Sequence, residues 1–368
     1  MSIGRACVLL LALSASAGAQ GPDTVSSEYE ALIRSYASGE HEAAVTRMVE
    51  WPPARVLDQA GVLVELGRVG GACMTCREAQ VWRRIPVEAA VMLHSDCAQR
   101  ARRDGLPAEH HEQAAVAIAR RLEDDTLRSV PRGFVRRWFE AVAGLAQAET
   151  RWDDALVWTR RGLREFPASA ELLLVVGSIE EMRGAMAERR LPESPLQPSP
   201  SVTLENLSRV REARAGIERA HRALRQAVAA DPAHQEARLR LGRVAMRLGE
   251  TAEARAALEG VIARDPMPEI AFLAHLFLGR LQEEAGRHDD AAGRYQAALA
   301  IDPLSQSARL ALSHSRLRLG DAVAARREVE TAVQAARRSK PDAYWLYPWG
   351  SLQDAEARLG ALRREVSS

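Results

Sequence analysis

Apolar and polar residues follow a helical period along much of the chain, and glycine or proline ends the periodic runs. The clearest example is residues 275–303, HLFLGRLQEEAGRHDDAAGRYQAALAIDP, where Gly286 ends one run and Pro303 ends the next. Glycine can adopt the positive φ that lets a chain turn back after a helix, and proline cannot continue a helix. This stretch therefore predicts two helices joined by a tight turn at Gly286.

The same punctuation repeats at a nearly constant spacing. Pro232, Pro266 and Pro303 are 34 and 37 residues apart, and Leu-Gly pairs at 241–242 and 278–279 each begin 25 residues before a proline. A small residue puts no bulk between two helix backbones, and the leucine beside it fills the interface. Each buried leucine stabilises the fold by roughly 1.5–3 kcal/mol. We therefore predict stacked helical hairpins at residues 235–268, 272–305 and 306–339.

Upstream, the pattern continues in weaker form. The phrase WDDALVWTRRGLREFP supports a hairpin at 136–169. A further unit at 201–234 has only Leu204, Leu207 and Ser208 to fill its first helix. Two more hairpins are predicted in the N-terminal third, at 26–51 and at 86–125, and the second is broken at 105–107.

Two stretches interrupt these hairpins. Residues 191–201, LPESPLQPSPS, contain four prolines and predict an extended linker that divides the array into two parts. Pairs of prolines and glycines interrupt the pattern in an irregular insert at 52–80. The predicted organisation is a leader at 1–19, a degenerate hairpin region at 20–125, a repeat with a following helix at 126–190, a linker at 191–202, a repeat array at 203–340 and a C-terminal capping helix region at 341–368.

The repeated positions resemble the tetratricopeptide repeat, a 34-residue helix-turn-helix unit with small residues at its eighth and twentieth positions and a proline near its end. Gly242, Ala254 and Pro266 stand at these positions in one unit, and the unit at 272–305 repeats them. The resemblance implies an all-α fold, a helical-hairpin solenoid whose N-terminal part is degenerate, in an exported bacterial protein.

Composition agrees with this interpretation. Aromatic residues make up 5% of the chain, which favours close helix packing over a sheet sandwich. The 50 basic and 49 acidic residues nearly cancel, so no overall field draws the protein to nucleic acid or to an anionic membrane. We expect no nucleic-acid partner, no cofactor and no enzymatic activity, and nothing in the sequence indicates a small-molecule ligand.

The first nineteen residues, MSIGRACVLLLALSASAGA, have a basic start at Arg5, a short apolar run, and small residues at Ala17 and Ala19. This is the pattern of a secretory signal peptide. A membrane-spanning helix needs about 20 apolar residues, and neither this run nor a later one is that long. We therefore predict cleavage after Ala19, no membrane span, and a periplasmic or secreted mature protein.

Four residues form the sharpest candidate for chemistry outside the repeats. Cys73-x2-Cys76 and His94-x2-Cys97 have spacings that could close a tetrahedral zinc site. A disulfide within the group, or a redox-active CxxC, is the alternative in an exported chain. Cys97 also fits as a small core residue in an apolar helix face. The group supports an alternative function, a metal- or redox-active module carried on the repeat array.

The C-terminal phrase AYWLYPWGS concentrates Tyr344, Trp345, Tyr347 and Trp349. The end of a solenoid must cover its apolar face, so this cluster predicts a cap beneath the last unit. A partner-binding patch is the other interpretation, because tyrosine and tryptophan are favoured anchors at protein interfaces.

In the tetratricopeptide family, the first helices of the units line a concave groove that binds part of another protein. The resemblance places nine residues at groove positions: Arg137, Arg243, Met246, Arg247, Arg280, Glu283, Glu284, His314 and Arg318. The arginines could pair with carboxylates of a peptide, or they could be ordinary solvated side chains. We therefore expect an exported, non-catalytic scaffold or adaptor that binds a partner protein or peptide segment in its groove.

Overall fold

A computed structural model of the chain describes residues 22–56, 85–120, 130–189, 200–336, 342–349 and 354–368. Every regular element within these ranges is a helix, which confirms the predicted all-α class. None of the described helices is both long and apolar enough to cross a membrane. Backbone contacts divide the chain into two compact units, Met1–Val135 with Gly360–Ser368, and Arg136–Leu359. The leader predicted at 1–19 lies outside the described residues.

The first unit contains two helical hairpins at the positions predicted for them. Its helices are α1 (Pro22–Ala37), α2 (His41–Val49), α3 (Val87–Arg103) and α4 (Glu109–Arg120). Gly39 and Gly105 lie between the paired helices with φ of 102° and 70°. These positive values suit glycine, which has no Cβ to clash. Ile33, Met48 and Met92 are completely buried in the core of this unit.

The second unit is a succession of helical hairpins followed by a short C-terminal region. The paired helices are α5 (Arg132–Ala148) with α6 (Trp152–Glu165), α7 (Ala170–Arg189) with α8 (Pro200–Ala230), α9 (Gln235–Leu248) with α10 (Thr251–Ile262), α11 (Pro268–Glu284) with α12 (His288–Ile301), and α13 (Gln306–Arg318) with α14 (Ala322–Ala336). The C-terminal region contains α15 (Ala343–Leu346), a 3-10 turn (Tyr347–Trp349) and α16 (Ala355–Ser367), whose last residues belong to the first unit.

Glycine lets the paired helices approach closely at the predicted Leu-Gly positions. A Cβ on Gly279 would collide with the ring of Tyr295 on α12, and one on Gly242 would lie 2.6 Å from Leu258 Cγ on α10. Tyr295 and Leu258 are themselves buried, so each fills the space that its glycine leaves. The hairpins predicted at 136–169, 235–268, 272–305 and 306–339 are all confirmed.

The hairpin predicted at 201–234 is wrong. Most of these residues form the single helix α8, which pairs with α7 and does not fold back on itself. A Cβ on Gly177 would lie 2.5 Å from Leu224 Cγ, and one on Gly184 would lie 2.6 Å from Ile217 Cδ1, so glycine again sets the helix separation. This hairpin carries a long connection between its two helices, and the 34-residue spacing is therefore lost.

The proline-rich segment predicted at 191–202 does not divide the array. Pro200 begins α8, so the last residues of the segment are helical. Proline is tolerated in the first turn of a helix because its missing N–H would have no intrahelical partner there. The helices on both sides of the segment form one hairpin of the second unit, and the chain passes between the units at Val135–Arg136 and at Leu359–Gly360.

Candidate partner-binding surface

The first helices of four hairpins, α7, α9, α11 and α13, line two cavities in the second unit. The larger cavity, about 500 Å³, lies over α9, α11 and α13, and the smaller, about 260 Å³, lies over α7 and α9. We call the residues that line these two cavities the first-helix surface. Tyr344 and Trp345 of the C-terminal region border both cavities.

Six of the nine predicted groove residues belong to the first-helix surface. Arg243 borders both cavities, Arg247 the smaller one, and Arg280, Glu283, Glu284 and His314 the larger one. Met246 instead belongs to the hydrophobic core, where it is 9% exposed. Arg137 and Arg318 are exposed on their helices and line neither cavity. The repeat register therefore brings together side chains from three different hairpins, and it also selects one core residue.

The acidic members of the first-helix surface are hydrogen-bonded within the protein. Glu284 accepts a bond of 3.0 Å from Arg280 Nε, one helical turn away. Glu283 accepts bonds from the Tyr295 hydroxyl at 3.0 Å and from Ser315 Oγ at 2.5 Å. The carboxylate of Glu283 thereby joins α11 to both α12 and α13, which makes it a structural residue of this surface.

Arg243 has no ion-pair partner among the described residues, whereas Arg240 and Arg280 of the same surface pair with glutamates. Its guanidinium carbon lies 5.2 Å from the centre of the Phe277 ring, within the range of a cation–π contact. The apolar wall of the same cavity includes Leu276, Phe277 and Leu310. The larger cavity therefore offers apolar surface beside a positive charge that no ion pair within the described residues neutralises.

Tyr347 occupies a pocket on this surface that the sequence analysis missed. Its side chain is 4% exposed, and its hydroxyl lies 3.0 and 2.9 Å from the two carboxylate oxygens of Glu181 on α7, to which it donates. Its backbone carbonyl accepts a bond of 3.1 Å from Arg240 Nη2 on α9. The Arg240 guanidinium also lies over the Tyr347 ring at 4.3 Å, and the Phe277 ring is 5.4 Å away. We call these surroundings the Tyr347 pocket.

The charges in the Tyr347 pocket are almost completely removed from solvent. Arg240 Nε donates to Glu236 at 2.9 Å and Nη1 donates to Glu181 at 3.3 Å, and the three side chains are 1%, 0% and 7% exposed. Buried charges require such partners, because taking them out of water is costly. Burial, with a further contribution from the Glu181 carboxylate, raises the pKa of Tyr347 well above its usual value. The phenol therefore stays protonated and remains a donor.

A second anchor holds residues 342–349, which we call the aromatic segment, at the start of α13. Asp342 Oδ2 accepts bonds from Ser305 Oγ at 2.7 Å and from Ser307 Oγ at 2.8 Å. Between the two anchors, Trp345 and Leu346 are 49% and 56% exposed. The segment thus lies along the first helices of the hairpins. The predicted cap beneath the last unit is wrong for Tyr347, because its buried contacts are with α7, α9 and α11.

Two of the four predicted zinc or disulfide residues lie in the described part of the chain, both buried on α3. His94 Nε2 is 2.9 Å from the Tyr29 hydroxyl, and burial lowers the pKa of His94 to about 3, so its imidazole is neutral. Cys97 is a free cysteine whose thiol pKa is raised well above its usual value by burial. Cys97 therefore has the environment of a core residue. Cys73 and Cys76 lie outside the described residues.

A group of His221, Glu250 and Glu253 was not singled out in the sequence. Its potential ligand atoms all lie within 4.8 Å of one another, a spacing that a metal ion could bridge. His221 Nε2 is 2.7 Å from Glu253 Oε2, and Arg225 Nε is 3.1 Å from Glu253 Oε1. Because the arginine already balances charge in this group, we interpret it as an ion-pair cluster between α8 and the start of α10.

Comparison with known structures finds similarity to MamA. The crystal structure of MamA protein is 18% identical over 56% of this chain and 94% of that chain, with a TM-score of 0.40. MamA 41-end from Desulfovibrio magneticus RS-1 is 17% identical over 56% of this chain and 97% of that chain, with a TM-score of 0.39. A search of the curated proteins finds no match.

A family model provides the stronger comparison. Residues 217–276 and 283–346 match the tetratricopeptide repeat. The matched residues run from the second half of α8 through the three hairpins α9–α10, α11–α12 and α13–α14 to α15. The family match and the confirmed helical hairpins show that residues 217–346 of this chain contain tetratricopeptide repeats.

Proposed function

We propose that this tetratricopeptide repeat protein is an exported, non-catalytic scaffold or adaptor that binds a segment of a partner protein on its first-helix surface. The observation that carries the proposal is the larger cavity, where the apolar side chains of Leu276, Phe277 and Leu310 adjoin the uncompensated charge of Arg243. An apolar side chain of the partner would fill this cavity, and a carboxylate beside it would pair with Arg243.

The size of the larger cavity supports a small number of anchors. About 500 Å³ is in the range of sites that enclose a compact ligand, and it would hold a few side chains of a peptide. A surface ion pair alone contributes little, commonly 0–1 kcal/mol, because solvent screens it. We therefore expect most of the affinity from apolar burial, with Arg243 selecting partners that place a carboxylate beside the buried group.

The hydrogen bonding of the cavity supports binding over acid–base catalysis. Glu283 and Glu284 are the carboxylates that line the larger cavity, and both accept hydrogen bonds from neighbouring side chains of the protein. A general base must reach a substrate proton with its carboxylate. Carboxylates that already hold helices together suit a structural role better.

The export part of the proposal has its own test, which is the mass of the mature protein. The signal pattern in residues 1–19 supports cleavage after Ala19, so the protein recovered from a periplasmic or culture fraction should begin at Gln20. Intact mass spectrometry measures this directly. Recovery of the full-length chain from the cytoplasmic fraction alone would contradict export.

Partner binding can be tested by photo-crosslinking in intact cells of the producing organism. Leu310 borders the larger cavity and is 48% exposed, and Leu207 on α8 is also 48% exposed but lines neither cavity. A photoreactive amino acid at position 310 should give discrete crosslinked partner bands, and the same residue at position 207 should not. Equal products at both positions would contradict binding on the first-helix surface.

Charge reversal at Arg243 tests the ion pair within the same experiment. Arg243→Glu should reduce the crosslinked partner at position 310 at least fivefold, because a partner carboxylate would then meet a like charge. Arg211→Glu is the matched control, since Arg211 is an exposed arginine of α8 outside both cavities. Far-UV circular dichroism should be the same for both variants. A similar crosslink yield in the two variants would argue against a role for Arg243.

A further inference from the structure

We infer that the Tyr347 pocket is a binding site for tyrosine, and that the aromatic segment is an internal ligand which a tyrosine-containing partner segment replaces. This inference rests on the proposed function and names the class of partner that it requires. The partner segment carries a tyrosine for the pocket and an acidic residue five positions before it, as Asp342 and Tyr347 are spaced in the internal segment.

The pocket recognises both ends of a tyrosine side chain. The ring contacts the Arg240 guanidinium, at 4.3 Å, and the Phe277 ring, at 5.4 Å. The hydroxyl donates to Glu181, whose side chain is only 7% exposed. Phenylalanine would fill the same space but would leave this buried carboxylate without its phenol donor. Sites built to bond a hydroxyl reject the analogue that lacks it far more strongly than sites that only match its shape.

The backbone contact adds a requirement that does not depend on side-chain identity. Arg240 Nη2 donates to the carbonyl oxygen of Tyr347, so the pocket binds a residue within a peptide chain and not a free phenol. At the other anchor, Ser305 and Ser307 donate three bonds, of 2.7 to 3.1 Å, to Asp342 Oδ2. Those donors would hold the carboxylate of a replacing segment in the same way.

The aromatic segment is placed where a partner on the first-helix surface would meet it. Tyr344 and Trp345 border both cavities, as Arg243 on α9 does, so the segment lies where the two cavities adjoin. Trp345 and Leu346 are about half exposed and add little burial of their own. The contacts of Asp342 and Tyr347 therefore provide most of the binding of the aromatic segment. A partner segment that makes the same two contacts and also fills the larger cavity makes more contacts than the internal segment does.

The test uses the full chain and a fluorescein-labelled synthetic peptide, DAYWLYPW, which has the sequence of residues 342–349. The double variant Asp342→Ala with Tyr347→Ala removes both internal anchors. It should bind the peptide at least tenfold more tightly than the parent chain, as measured by fluorescence anisotropy. In the parent, the tethered segment competes at an effective concentration on the order of millimolar.

The matched peptide DAYWLFPW separates recognition of tyrosine from apolar attraction. It should bind the double variant at least tenfold more weakly than DAYWLYPW, because the buried Glu181 carboxylate then has no phenol donor. Equal binding of the two peptides, or equal binding of DAYWLYPW by parent and variant, would overturn the inference. Should the double variant fail to fold, Tyr347→Phe in the full chain carries the same test. It removes a single hydroxyl and should raise affinity for DAYWLYPW at least threefold, and an unchanged affinity overturns the inference.

The photo-crosslink at position 310 keeps this inference distinct from the proposed function. Loss of the internal anchors should raise the yield of the crosslinked partner at least threefold. A partner that crosslinks equally well to parent and double variant would leave the scaffold function intact and overturn the replacement of the segment. If no partner crosslinks at position 310 in either chain, the proposed function fails, and the peptide measurements alone decide whether the pocket binds tyrosine.

Discussion

The interface between α11 and α12, which we call the seam, buries one tyrosine, and the Tyr347 pocket buries another. The two places are built from different kinds of contact. In the seam, Gly279 leaves room for the ring of Tyr295, which is 1% exposed. In the pocket, Tyr347 is buried by two charged side chains, Glu181 and Arg240, that reach it from different hairpins.

Distance along the sequence explains why the contacts of one tyrosine can be predicted and those of the other cannot. Gly279 and Tyr295 stand 16 positions apart in one repeat, so the spacing of small and large residues is enough to pair them. Glu181 and Tyr347 are 166 positions apart and belong to separate elements. A helix interface that depends on side-chain size can be predicted from the spacing within a repeat. A polar pocket cannot, because it depends on which distant elements the fold brings together. Substitutions in the seam and in the Tyr347 pocket test this difference.

The largest effect is expected at the seam. Gly279→Leu should lower the free energy of unfolding by about 3 kcal/mol, because its side chain would be forced into the ring of Tyr295. Gly293→Leu on α12 is the control, since a Cβ there meets no atom within 4 Å. The control should stay within about 1 kcal/mol of the parent, on the stabilising side, because leucine favours helix over glycine. Urea denaturation followed by circular dichroism measures both.

Equal losses for the two leucine variants would contradict the glycine-defined seam. They would mean that α11 and α12 separate easily enough to accept a side chain, and the contrast with the Tyr347 pocket would then disappear.

A second effect concerns Glu171, which like the Tyr347 pocket joins distant elements through charge. Its Oε1 lies 2.9 Å from Arg358 Nη2 on α16 and 3.1 Å from His234 Nε2 at the start of α9. Burial by itself would raise the pKa of Glu171, but the two cationic neighbours lower it to about 2. The carboxylate therefore stabilises the folded state above pH 4.5, and this contribution is lost as the pH falls toward 2.

Between pH 5 and pH 2, the parent should lose on the order of 2–3 kcal/mol more stability than Glu171→Gln, which has no carboxylate to protonate. Glu171 also raises the pKa of His234, against the effect of burial, so the histidine stabilises the fold below its usual pKa of 6.5 and loses this effect at higher pH. Denaturation series from about pH 2 to about pH 9 test both the Glu171 effect at low pH and the His234 effect at higher pH. Parallel curves for parent and variant would contradict the assignment.

The smallest of these effects is expected in the Tyr347 pocket itself. Tyr347→Phe should lower the free energy of unfolding by about 1–2 kcal/mol, because it removes the phenol donor to the buried Glu181 carboxylate while it keeps the ring. Tyr344→Phe is the matched control one turn earlier, where the side chain is half-buried and contacts Phe277 through its ring. The control should change stability by less than about 0.5 kcal/mol. A loss as large in Tyr344→Phe would show that ring packing, and not the phenol bond, holds the segment.

How far the fold could be predicted depended on the connections within the hairpins. The hairpins α9–α10, α11–α12 and α13–α14 have short turns, so the 34-residue spacing and the small residues located each helix. The hairpin α7–α8 packs through Gly177 and Gly184 in the same manner, but its helices are separated by a proline-rich stretch. Spacing measured along the chain therefore assigned α8 to a unit of its own, although the packing residues were present in the sequence.

The candidate site divides in the same way. The repeat register located Arg243, Arg280 and His314 on the surface that borders the larger cavity, because equivalent positions of stacked units face the same side. The register also selected Met246, which lies in the hydrophobic core. A repeat register specifies which face of a helix a residue lies on, but not how deeply neighbouring elements bury that residue. The Tyr347 pocket had no such signal, because none of its charged residues repeats with the period.

The amino-acid sequence is enough to predict the all-α class, the hairpins with short turns, the glycines at their helix interfaces and the arginines on one helix face. These features depend on local periodicity and on side-chain size, which act between residues close together in the chain. The tertiary structure alone decided that α7 pairs with α8, that Arg243 keeps an unneutralised charge while Arg280 does not, and that Tyr347 enters a pocket of buried charges. These features depend on which residues, far apart in the sequence, the fold brings into contact. A buried charge requires a partner, and only the tertiary structure determines whether a neighbouring element supplies one.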